Sequence, residues 1–319
     1  MTVRLGSRGS ALARWQAEHV RARLETAHPG LQVEVRLIRT TGDRITDVPL
    51  ARIGDRGLFT KEIDRAVLEG EVDIAVHSLK DMPTRLPDGL ILAAVLDRED
   101  PRDALLVAPG RPRSLAGLPP GARVGTSSLR RRAQLLHRRP DLIVEDLRGN
   151  LDTRLARVAE GDYDAAILAR AGIRRLGRED AIAEILEPPD WLPAPGQGAL
   201  AVVAREDDAE TLALVAPLDD PVARPTTTAE RAFLRTLEGG CQIPIGALAT
   251  QVGDTLQLHG FVSSTDGQTF LRGQASGDAR DPVALGQELA RSLLDRGARE
   301  ILSRIYAESS EPRPQVSAP

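Results

Sequence analysis

Basic and hydroxyl side chains recur in this sequence where a predicted strand gives way to a predicted helix. Three such junctions carry, in chain order, Arg8 and Ser10; Thr126, Ser127, Ser128, Arg130 and Arg131; and Arg148 and Arg154. A helix N-terminus favours anions through its free N–H groups and its dipole, and a guanidinium binds a carboxylate through two parallel hydrogen bonds. Three junctions that converge on one cleft predict a ligand with several carboxylates or phosphates. For any one of them, the alternative is an exposed arginine beside a hydroxyl that only caps its helix.

One carboxylate, Asp81, is expected among these cations. It ends the run His77-Ser78-Leu79-Lys80-Asp81, which follows a predicted buried strand at residues 73–77. Lys80 and Asp81 should therefore lie at the carboxyl end of the sheet, where α/β folds bind ligands. An aspartate about 4 Å from a developing cation, at an effective dielectric near 20, contributes about 4 kcal/mol, or roughly a thousandfold in rate. Asp81 is the predicted catalytic carboxylate, and the alternative is a turn aspartate paired with Lys80.

Cys241 is the single cysteine of the chain, which excludes disulfide bonds within the chain and any site of several cysteines. It follows Gly239 and Gly240, whose missing side chains would let a bulky group approach the sulfur. The alternative is a small buried apolar residue, the commoner role of an isolated cysteine. The five histidines are scattered without ligand spacing, so no metal site is predicted.

The net charge of the chain conceals a local excess of the opposite sign. The 319 residues carry a formal charge of −4 and only 3% are aromatic, which argues against nucleic acid as a partner. Residues 123–178 nevertheless contain thirteen arginines against seven acidic residues, although a GC-rich genome would explain part of this excess. The first residues lack the apolar stretch of a signal peptide, and no uncharged run is long and apolar enough to span a bilayer. A cytoplasmic protein without a membrane partner is expected.

Strand and helix patterns alternate through the first two thirds of the chain, and they repeat. Residues 4–10 are echoed at residues 123–128, and residues 69–76 at residues 160–167. This predicts two related α/β domains, with mostly parallel strands, facing each other across a cleft; chance similarity of two α/β units is the alternative. The Pro- and Gly-rich residues 188–198 indicate a hinge, and the strand that follows, at 199–204, is expected to return to the first domain.

The last third predicts a small α+β domain with an antiparallel sheet. Three strand-like runs, at 245–252, 255–262 and 269–275, precede two amphipathic helices, at 282–296 and 298–307. Thr227 and Glu230 form the pattern of a capping box at the start of an earlier helix. The predicted domains are residues 1–98 with 199–217, residues 99–198 and residues 218–309, with a long loop at 40–57 and a disordered tail at 310–319.

Four motifs, taken together and in this order, closely resemble the porphobilinogen deaminase family, also called hydroxymethylbilane synthases. They are His77-Ser78-Leu79-Lys80-Asp81, Val124-Gly125-Thr126-Ser127-Ser128-Leu129-Arg130-Arg131, Leu147-Arg148-Gly149-Asn150 and Glu238-Gly239-Gly240-Cys241-Gln242-Ile243-Pro244. The resemblance implies two domains similar to type II periplasmic binding proteins and a third, smaller domain. It also implies an enzyme of tetrapyrrole (haem) biosynthesis that joins four porphobilinogen molecules head to tail, releases four ammonia molecules and hydrolyses off linear hydroxymethylbilane. Nothing in the sequence demands more than a monomer.

The resemblance also implies a role for each matching residue. The cofactor is a dipyrromethane, made from the substrate and attached by a thioether to Cys241, and Asp81 stabilises positively charged pyrrole intermediates and helps to move protons. The implied cofactor contacts are Lys80, Asp81, Thr126, Ser127, Ser128, Arg130, Arg131 and Arg148. The implied substrate contacts are Arg8, Ser10, Arg148 and Arg154.

The sequence departs from the family's pattern in two places. In the long loop, Arg52 and Arg56 stand where the family often has lysine, which keeps the charge. Val203 and Ala204 stand where a glutamate and a cysteine are usual. The rival interpretation, a ligand-binding module without catalysis, would explain two domains and a basic cleft but neither the Gly-Gly-Cys loop nor the third domain.

Overall fold

The structure, a computed structural model, describes residues 2–41, 60–237 and 243–308. Most of the predicted loop at 40–57, the glycines and Cys241 of the predicted cofactor loop, and the predicted tail at 310–319 lie outside the described residues. No helix in the described part of the chain is long and apolar enough to cross a membrane.

Strands and helices alternate along the described chain. The strands are β1 (Thr2–Ser7), β2 (Gln32–Leu37), β3 (Ile74–Ser78), β4 (Leu90–Val95), β5 (Asp103–Val107), β6 (Arg123–Gly125), β7 (Ile143–Glu145), β8 (Ala165–Ala169), β9 (Ile182–Leu186), β10 (Leu200–Arg205), β11 (Ile245–Val252), β12 (Thr255–Ser263) and β13 (Phe270–Asp278). The α-helices are α1 (Ala11–Ala27), α2 (Lys61–Leu68), α3 (Leu129–Arg138), α4 (Leu151–Ala159), α5 (Arg170–Arg175), α6 (Ala209–Val215), α7 (Ala223–Thr236), α8 (Pro282–Leu293) and α9 (Arg299–Glu308).

Two five-stranded sheets have the same topology. The first has the strand order β2-β1-β3-β10-β4 and the second has the order β7-β6-β8-β5-β9. In each sheet the fourth strand runs antiparallel to both neighbours and the other strands share one direction. The prediction of two related α/β units with mostly parallel strands is confirmed, and so is the return of β10 to the first sheet.

The repeat extends to individual hydrogen bonds. Asp73 Oδ2 accepts a hydrogen bond from the backbone N–H of Arg4, and Asp164 Oδ2 accepts one from the backbone N–H of Arg123, each at 2.7 Å. Both aspartates come from the echoed segments. Arg4 lies in β1 and Arg123 begins β6, and these two strands hold the same position in the strand orders of their sheets. The sequence echo therefore marks equivalent positions in two similar units, not a chance similarity.

Helices cover both faces of the first sheet, and the side chains of β10 point alternately to one face and to the other. Val202 and Ala204 belong to one core cluster, with residues of α1 and α6, whereas Val203 packs with Ile63 and Val67 of α2. Alternate side chains of a strand point to opposite faces, which explains this division. Val203 and Ala204 are both fully buried. Where the family usually has a glutamate, this chain therefore has a core residue.

Two segments that cross between the sheets lie side by side. Residues 96–102 lead from β4 to β5, and residues 187–199 lead from β9 back to β10. The backbone N–H of Glu99 donates to the carbonyl oxygen of Gly198 at 3.2 Å. Gly198 has φ +92°, and a Cβ there would lie 2.2 Å from the Glu99 carbonyl oxygen. Only glycine suits both this backbone conformation and this close approach.

The third sheet is antiparallel, with the order β11-β12-β13, and carries α7 and α8 against it. Phe233 of α7, Leu258 of β12 and Leu289 of α8 belong to one buried core cluster. The predicted α+β architecture of this part of the chain is confirmed.

The predicted capping box in this part of the chain is wrong. Helix α7 begins at Ala223, five residues before the start that an N-cap at Thr227 predicts, and Asp220 Oδ1 accepts hydrogen bonds from the N–H groups of Val222 and Ala223. Thr227 lies inside the helix, where its hydroxyl donates to the Ala223 carbonyl oxygen at 2.6 Å. The pattern failed because proline is tolerated in the first turn of a helix, so Pro225 did not prevent the earlier start.

Glu230, the other half of that pattern, instead joins the third sheet unit to both crossing segments. Its carboxylate is fully buried and binds the Arg98 guanidinium at 2.6 and 3.0 Å. It also accepts hydrogen bonds from the backbone N–H groups of Gly196 and Ala249, at 2.7 and 2.8 Å. The four contacts satisfy a charge that would otherwise be costly to bury.

Candidate active site

The turn after β3 carries the predicted catalytic carboxylate. Leu79–Asp81 form a single 3-10 turn directly after Ser78. Leu79 and Met82 are buried on either side, whereas Asp81 is exposed. The apolar neighbours thus anchor the turn and present Lys80 and Asp81 at the carboxyl end of the first sheet.

Lys80 is half-buried and has an unusual titration. Burial lowers the pKa of Lys80 to about 8; the charge of Arg131 adds to this effect and that of Asp81 opposes it. Its Nζ atom lies 3.4 Å from Gln197 Oε1. At neutral pH this side chain is mostly a cation, and it loses that charge in mildly alkaline solution.

The hydroxyls of the β6–α3 junction shape the start of α3. Ser128 Oγ accepts a hydrogen bond from the Arg131 N–H at 3.4 Å, and Thr126 Oγ1 accepts one from the Ser128 N–H at 3.3 Å. Ser127 donates its hydroxyl hydrogen to the Leu147 carbonyl oxygen at 3.1 Å. Ser128 and Thr126 act as acceptors in these contacts, so each has a hydroxyl hydrogen that can be donated to an anion.

Arg130 and Arg131 are buried around a carboxylate that sequence reasoning missed. Their side chains bind Asp103 at 2.7 and 2.8 Å, and Asp103 is fully buried at the start of β5. Burial by itself raises the pKa of Asp103, but the charges and hydrogen bonds of the two arginines outweigh it and hold the pKa far below its usual value. The Nε–H group of each arginine is buried and has no hydrogen-bond partner in the described structure.

Arg154 links the charges of the two sheets. It lies in the first turns of α4, which Asn150 caps by accepting the Thr153 N–H at 2.9 Å. Burial lowers the pKa of Arg154 to about 10, Arg131 and Arg148 act in the same direction, and Asp81 opposes them. Because Asp81 belongs to the first sheet and Arg154 to a helix on the second, the two sheets bring opposite charges to one cleft.

The β1–α1 junction lies beside the turn that follows β3 and carries Asp81. Ser10 caps α1 by accepting the Ala13 N–H at 3.3 Å, and Arg8, two residues earlier, is half-buried. Gln16, in the second turn of α1, donates to Ser78 Oγ at 2.9 Å, which ties this helix to the end of β3. All three predicted junctions are therefore at the carboxyl ends of strands. Ser10 and Ser128 cap their helices, which is the role that the alternative interpretation gave to these hydroxyls.

The described residues fit the dipyrromethane that the family resemblance implies. Such a group carries several carboxylates, and the cleft offers guanidinium groups with unused, buried Nε–H donors and one partly buried ammonium. Arg130, Arg131, Lys80 and the first turn of α3 are the described positions that would hold it. Cys241, the predicted attachment point, lies outside the described residues.

Two further residues bind Asp103 and, like it, were not predicted from the sequence. Trp191 Nε1 donates to Asp103 Oδ2 at 2.8 Å, and Gln197 Nε2 donates to Asp103 Oδ1 at 2.9 Å. The one available signal was Asp103 itself, a charged residue that opens an otherwise apolar strand and must find cations if that strand is buried.

Comparison with solved structures finds periplasmic binding proteins, at low similarity. A putative periplasmic sulfonate-binding protein from Methylobacillus flagellatus is 16% identical, with a TM-score of 0.40, over 75% of this chain and 68% of that chain. An arginine-specific periplasmic binding protein from Salmonella typhimurium is 11% identical, with a TM-score of 0.40, over 68% of this chain and 91% of that chain.

Family models and curated relatives match far more closely. Residues 3–213 match the model "Porphobilinogen deaminase, dipyromethane cofactor binding domain", and residues 225–295 match "Porphobilinogen deaminase, C-terminal domain". Porphobilinogen deaminases of Roseiflexus sp. (strain RS-1) and Moorella thermoacetica are 54% and 52% identical, over 95% and 97% of this chain and 99% and 98% of those proteins. The chain therefore belongs to the porphobilinogen deaminase family, the enzymes that polymerise porphobilinogen in tetrapyrrole biosynthesis.

Proposed function

We propose how the residues of this chain carry out the family's reaction, in which four porphobilinogen molecules are joined head to tail into hydroxymethylbilane and four ammonia molecules are released. Asp81 is the catalytic carboxylate, and the basic groups around it hold the carboxylates of cofactor and substrate. The observation that carries this proposal is the electrostatic interaction between the exposed Asp81 of the first sheet and the half-buried Arg154 on a helix of the second.

Asp81 acts on the cation that forms as ammonia leaves. Loss of ammonia from the aminomethyl group leaves a positive charge on the pyrrole, and a carboxylate at about 4 Å stabilises that charge by about 4 kcal/mol at an effective dielectric near 20. This corresponds to roughly a thousandfold in rate. Asp81 can also accept a proton when the new carbon–carbon bond forms and return it to the departing amine.

The cations of the cleft bind the acetate and propionate groups. Lys80, Thr126, Ser127, Ser128, Arg130, Arg131 and Arg148, together with Asp81, form the proposed cofactor-binding set, and Arg8, Ser10, Arg148 and Arg154 form the proposed substrate-binding set. Support comes from the pKa of Arg154, which burial lowers and the charges of Arg131 and Arg148 lower further, and from the unused Nε–H groups of Arg130 and Arg131. A bound carboxylate would relieve both conditions.

Cys241 is the proposed attachment point of the dipyrromethane, which, when bound, supplies the primer to which the first substrate is joined. Leu237 and Ile243, the described residues on either side of its loop, are both buried in the core of the third sheet unit. That unit is also joined to the crossing segments through Glu230, close to the proposed site. The loop is therefore flanked on both sides by residues buried in one core.

The division into residues 1–98 with 199–217, residues 99–198 and residues 218–309 is proposed to describe three domains. It is supported by the three sheets, whose strands fall within those limits. We also propose a cytoplasmic monomer, without nucleic-acid or membrane partners; the net charge of −4 and the aromatic content of 3% argue against nucleic acid, and nothing in the sequence demands more than a monomer.

Intact-mass measurement tests the cofactor assignment. The purified protein is expected to exceed its sequence mass by two linked pyrrole units, and Cys241→Ser is expected to lose that excess. An active enzyme of unmodified mass would overturn the assignment.

Activity measurement tests Asp81. Asp81→Ala is expected to keep the mass excess and the thermal stability of the protein but to release ammonia at least a hundredfold more slowly. Asp88→Ala, at an exposed position of the same sheet connection, is the matched control and should remain active. Near-normal ammonia release by Asp81→Ala would refute the catalytic role.

A further inference from the structure

Gln197 has no role in the proposed mechanism, yet its side chain is almost completely buried and fully engaged. It lies on the crossing segment at residues 187–199, and its Nε2 atom donates to the Pro101 carbonyl oxygen at 2.6 Å and to Asp103 Oδ1 at 2.9 Å. The two amide hydrogens are thereby used, and the remaining polar atom, Oε1, lies 3.4 Å from Lys80 Nζ. One amide thus contacts both crossing segments and the turn that carries Asp81.

The orientation of this amide follows from its partners. Pro101 O and the Asp103 carboxylate can only accept hydrogen bonds, so a flipped amide would place Oε1 against two acceptors and NH2 against an ammonium. The backbone of Gln197 is also held in place, because its carbonyl oxygen accepts a hydrogen bond from the Arg98 Nε–H at 2.8 Å. The geometry therefore leaves one function for Oε1, which is to accept a hydrogen bond from Lys80.

The charges around Lys80 explain why a neutral acceptor is suitable. Asp81 on its own turn and Asp103 on the second sheet favour the ammonium, whereas Arg130 and Arg131 oppose it. A neutral amide stabilises the ammonium without adding a third negative charge beside the buried Asp103 carboxylate. An ammonium has three hydrogens, so one bond to Gln197 leaves the others for ligand carboxylates.

We propose that Gln197 is a positioning residue of the reaction, which holds the Lys80 ammonium in the cleft and ties it to Asp103 of the second sheet. This inference rests on the proposed binding of ligand carboxylates by Lys80. Gln197 does not touch the reacting atoms; it determines where the Lys80 cation lies and how firmly its proton is held.

The test uses the fact that Lys61 and Lys80 are the only lysines of the chain. In holoenzyme labelled with 13C at lysine Cε, two resonances report the two side-chain pKa values, and Lys61→Arg assigns them. Gln197→Met keeps the volume but removes the acceptor. Because a hydrogen bond to a charged group corresponds to about one to two pKa units, and this one is long, the Lys80 pKa is expected to fall by about one unit while that of Lys61 stays.

Two further variants separate positioning from general damage. Gln197→Glu and Gln197→Met both lose the amide hydrogens that face Pro101 and Asp103, but only Gln197→Glu keeps an acceptor for Lys80, so in that variant the Lys80 pKa should remain at or above its wild-type value. Gln32→Met, at an exposed position of β2, should leave both resonances unchanged. An unchanged Lys80 pKa in Gln197→Met, or the same fall in Gln197→Met and Gln197→Glu, would overturn the inference.

Kinetics distinguish this inference from the proposed function on which it rests. In Gln197→Met the alkaline limb of kcat/KM is expected to move down by the same pH interval, mainly through KM. If the Lys80 resonance shifts but KM does not, Gln197 positions Lys80 as inferred and Lys80 does not bind substrate or cofactor carboxylates as proposed.

Discussion

Replacing Asp103 by asparagine should destabilise the second sheet unit strongly. Oδ2 of Asp103 accepts from Arg130 and Trp191, and Oδ1 accepts from Arg131 and Gln197. An asparagine has one accepting oxygen, so either orientation of its amide places an NH2 donor against two other donors. It also leaves two buried guanidinium groups without a counter-ion. Breaking a buried ion pair by removing one partner costs about 3–5 kcal/mol, and we expect a loss in the free energy of unfolding of that size.

The assay is equilibrium urea unfolding, followed by tryptophan fluorescence and circular dichroism. The chain has two tryptophans, and a Trp15→Phe background leaves Trp191, in contact with Asp103, as the fluorescent reporter. Asp207→Asn is the matched control, because its carboxylate is 85% exposed and 3.9 Å from Arg205, and it should change stability by less than about 0.5 kcal/mol. A loss below about 1 kcal/mol in Asp103→Asn would refute the reasoning.

The stability of the wild type and that of Asp103→Asn should depend differently on pH in acid. Since the pKa of Asp103 is lowered in the folded state, its contribution to stability is complete above its unfolded pKa of about 3.9. It is lost only as the pH falls from there towards the folded value. The difference in unfolding free energy between wild type and Asp103→Asn should therefore be constant from about pH 6 to 8 and should narrow below about pH 4.

Three other changes test the crossing segments and the core. Gly198→Ala should lower the melting temperature several times more than the control Gly121→Ala, because Gly121 has a similar φ of +77° but no atom within 4 Å of an added Cβ. Equal effects of the two substitutions would contradict the close approach of the crossing segments. Glu230→Gln should lower the free energy of unfolding by about 3–5 kcal/mol, because Arg98 loses its buried counter-charge. Limited proteolysis of the crossing segments should also become faster, and a proteolysis rate equal to that of the wild type would contradict the role given to this ion pair. Val203→Glu, which introduces the residue usual in the family, should lower the melting temperature, since it places a carboxylate at a fully buried position packed against apolar side chains; an unchanged melting temperature would contradict this.

Local patterns were sufficient for most elements. Helix α1 (Ala11–Ala27) is one example, because its cap at Ser10 and its apolar spacing both act within a few residues. The duplicated segments were also readable, since equivalent positions such as Asp73 and Asp164 keep the same residue type for the same local hydrogen bond. Where a local pattern was misleading, as at Thr227, a tolerated proline allowed the helix to begin earlier.

The candidate site, too, was predictable where short motifs decide it and unpredictable where distant residues meet. The motifs placed Asp81, Lys80 and the arginines at the carboxyl ends of strands, and the structure places them there. Their roles as anion binders stay predictions, because the structure gives Arg130 and Arg131 a protein carboxylate as their partner. No pattern within a few residues could reveal that partner, since Asp103 lies 27 and 28 residues away along the chain.

The sequence by itself determined the family, the duplicated α/β architecture and the positions at which cations and one carboxylate meet a cleft, because each of these depends on residue type and short-range spacing. Only the tertiary structure decided which charge neutralises which. Gln197 reaches Asp103 across 94 residues, and Glu230 reaches Arg98 across 132. Burial makes an unpaired charge costly whatever its distance along the chain, so the partners are selected by the contacts that folding creates.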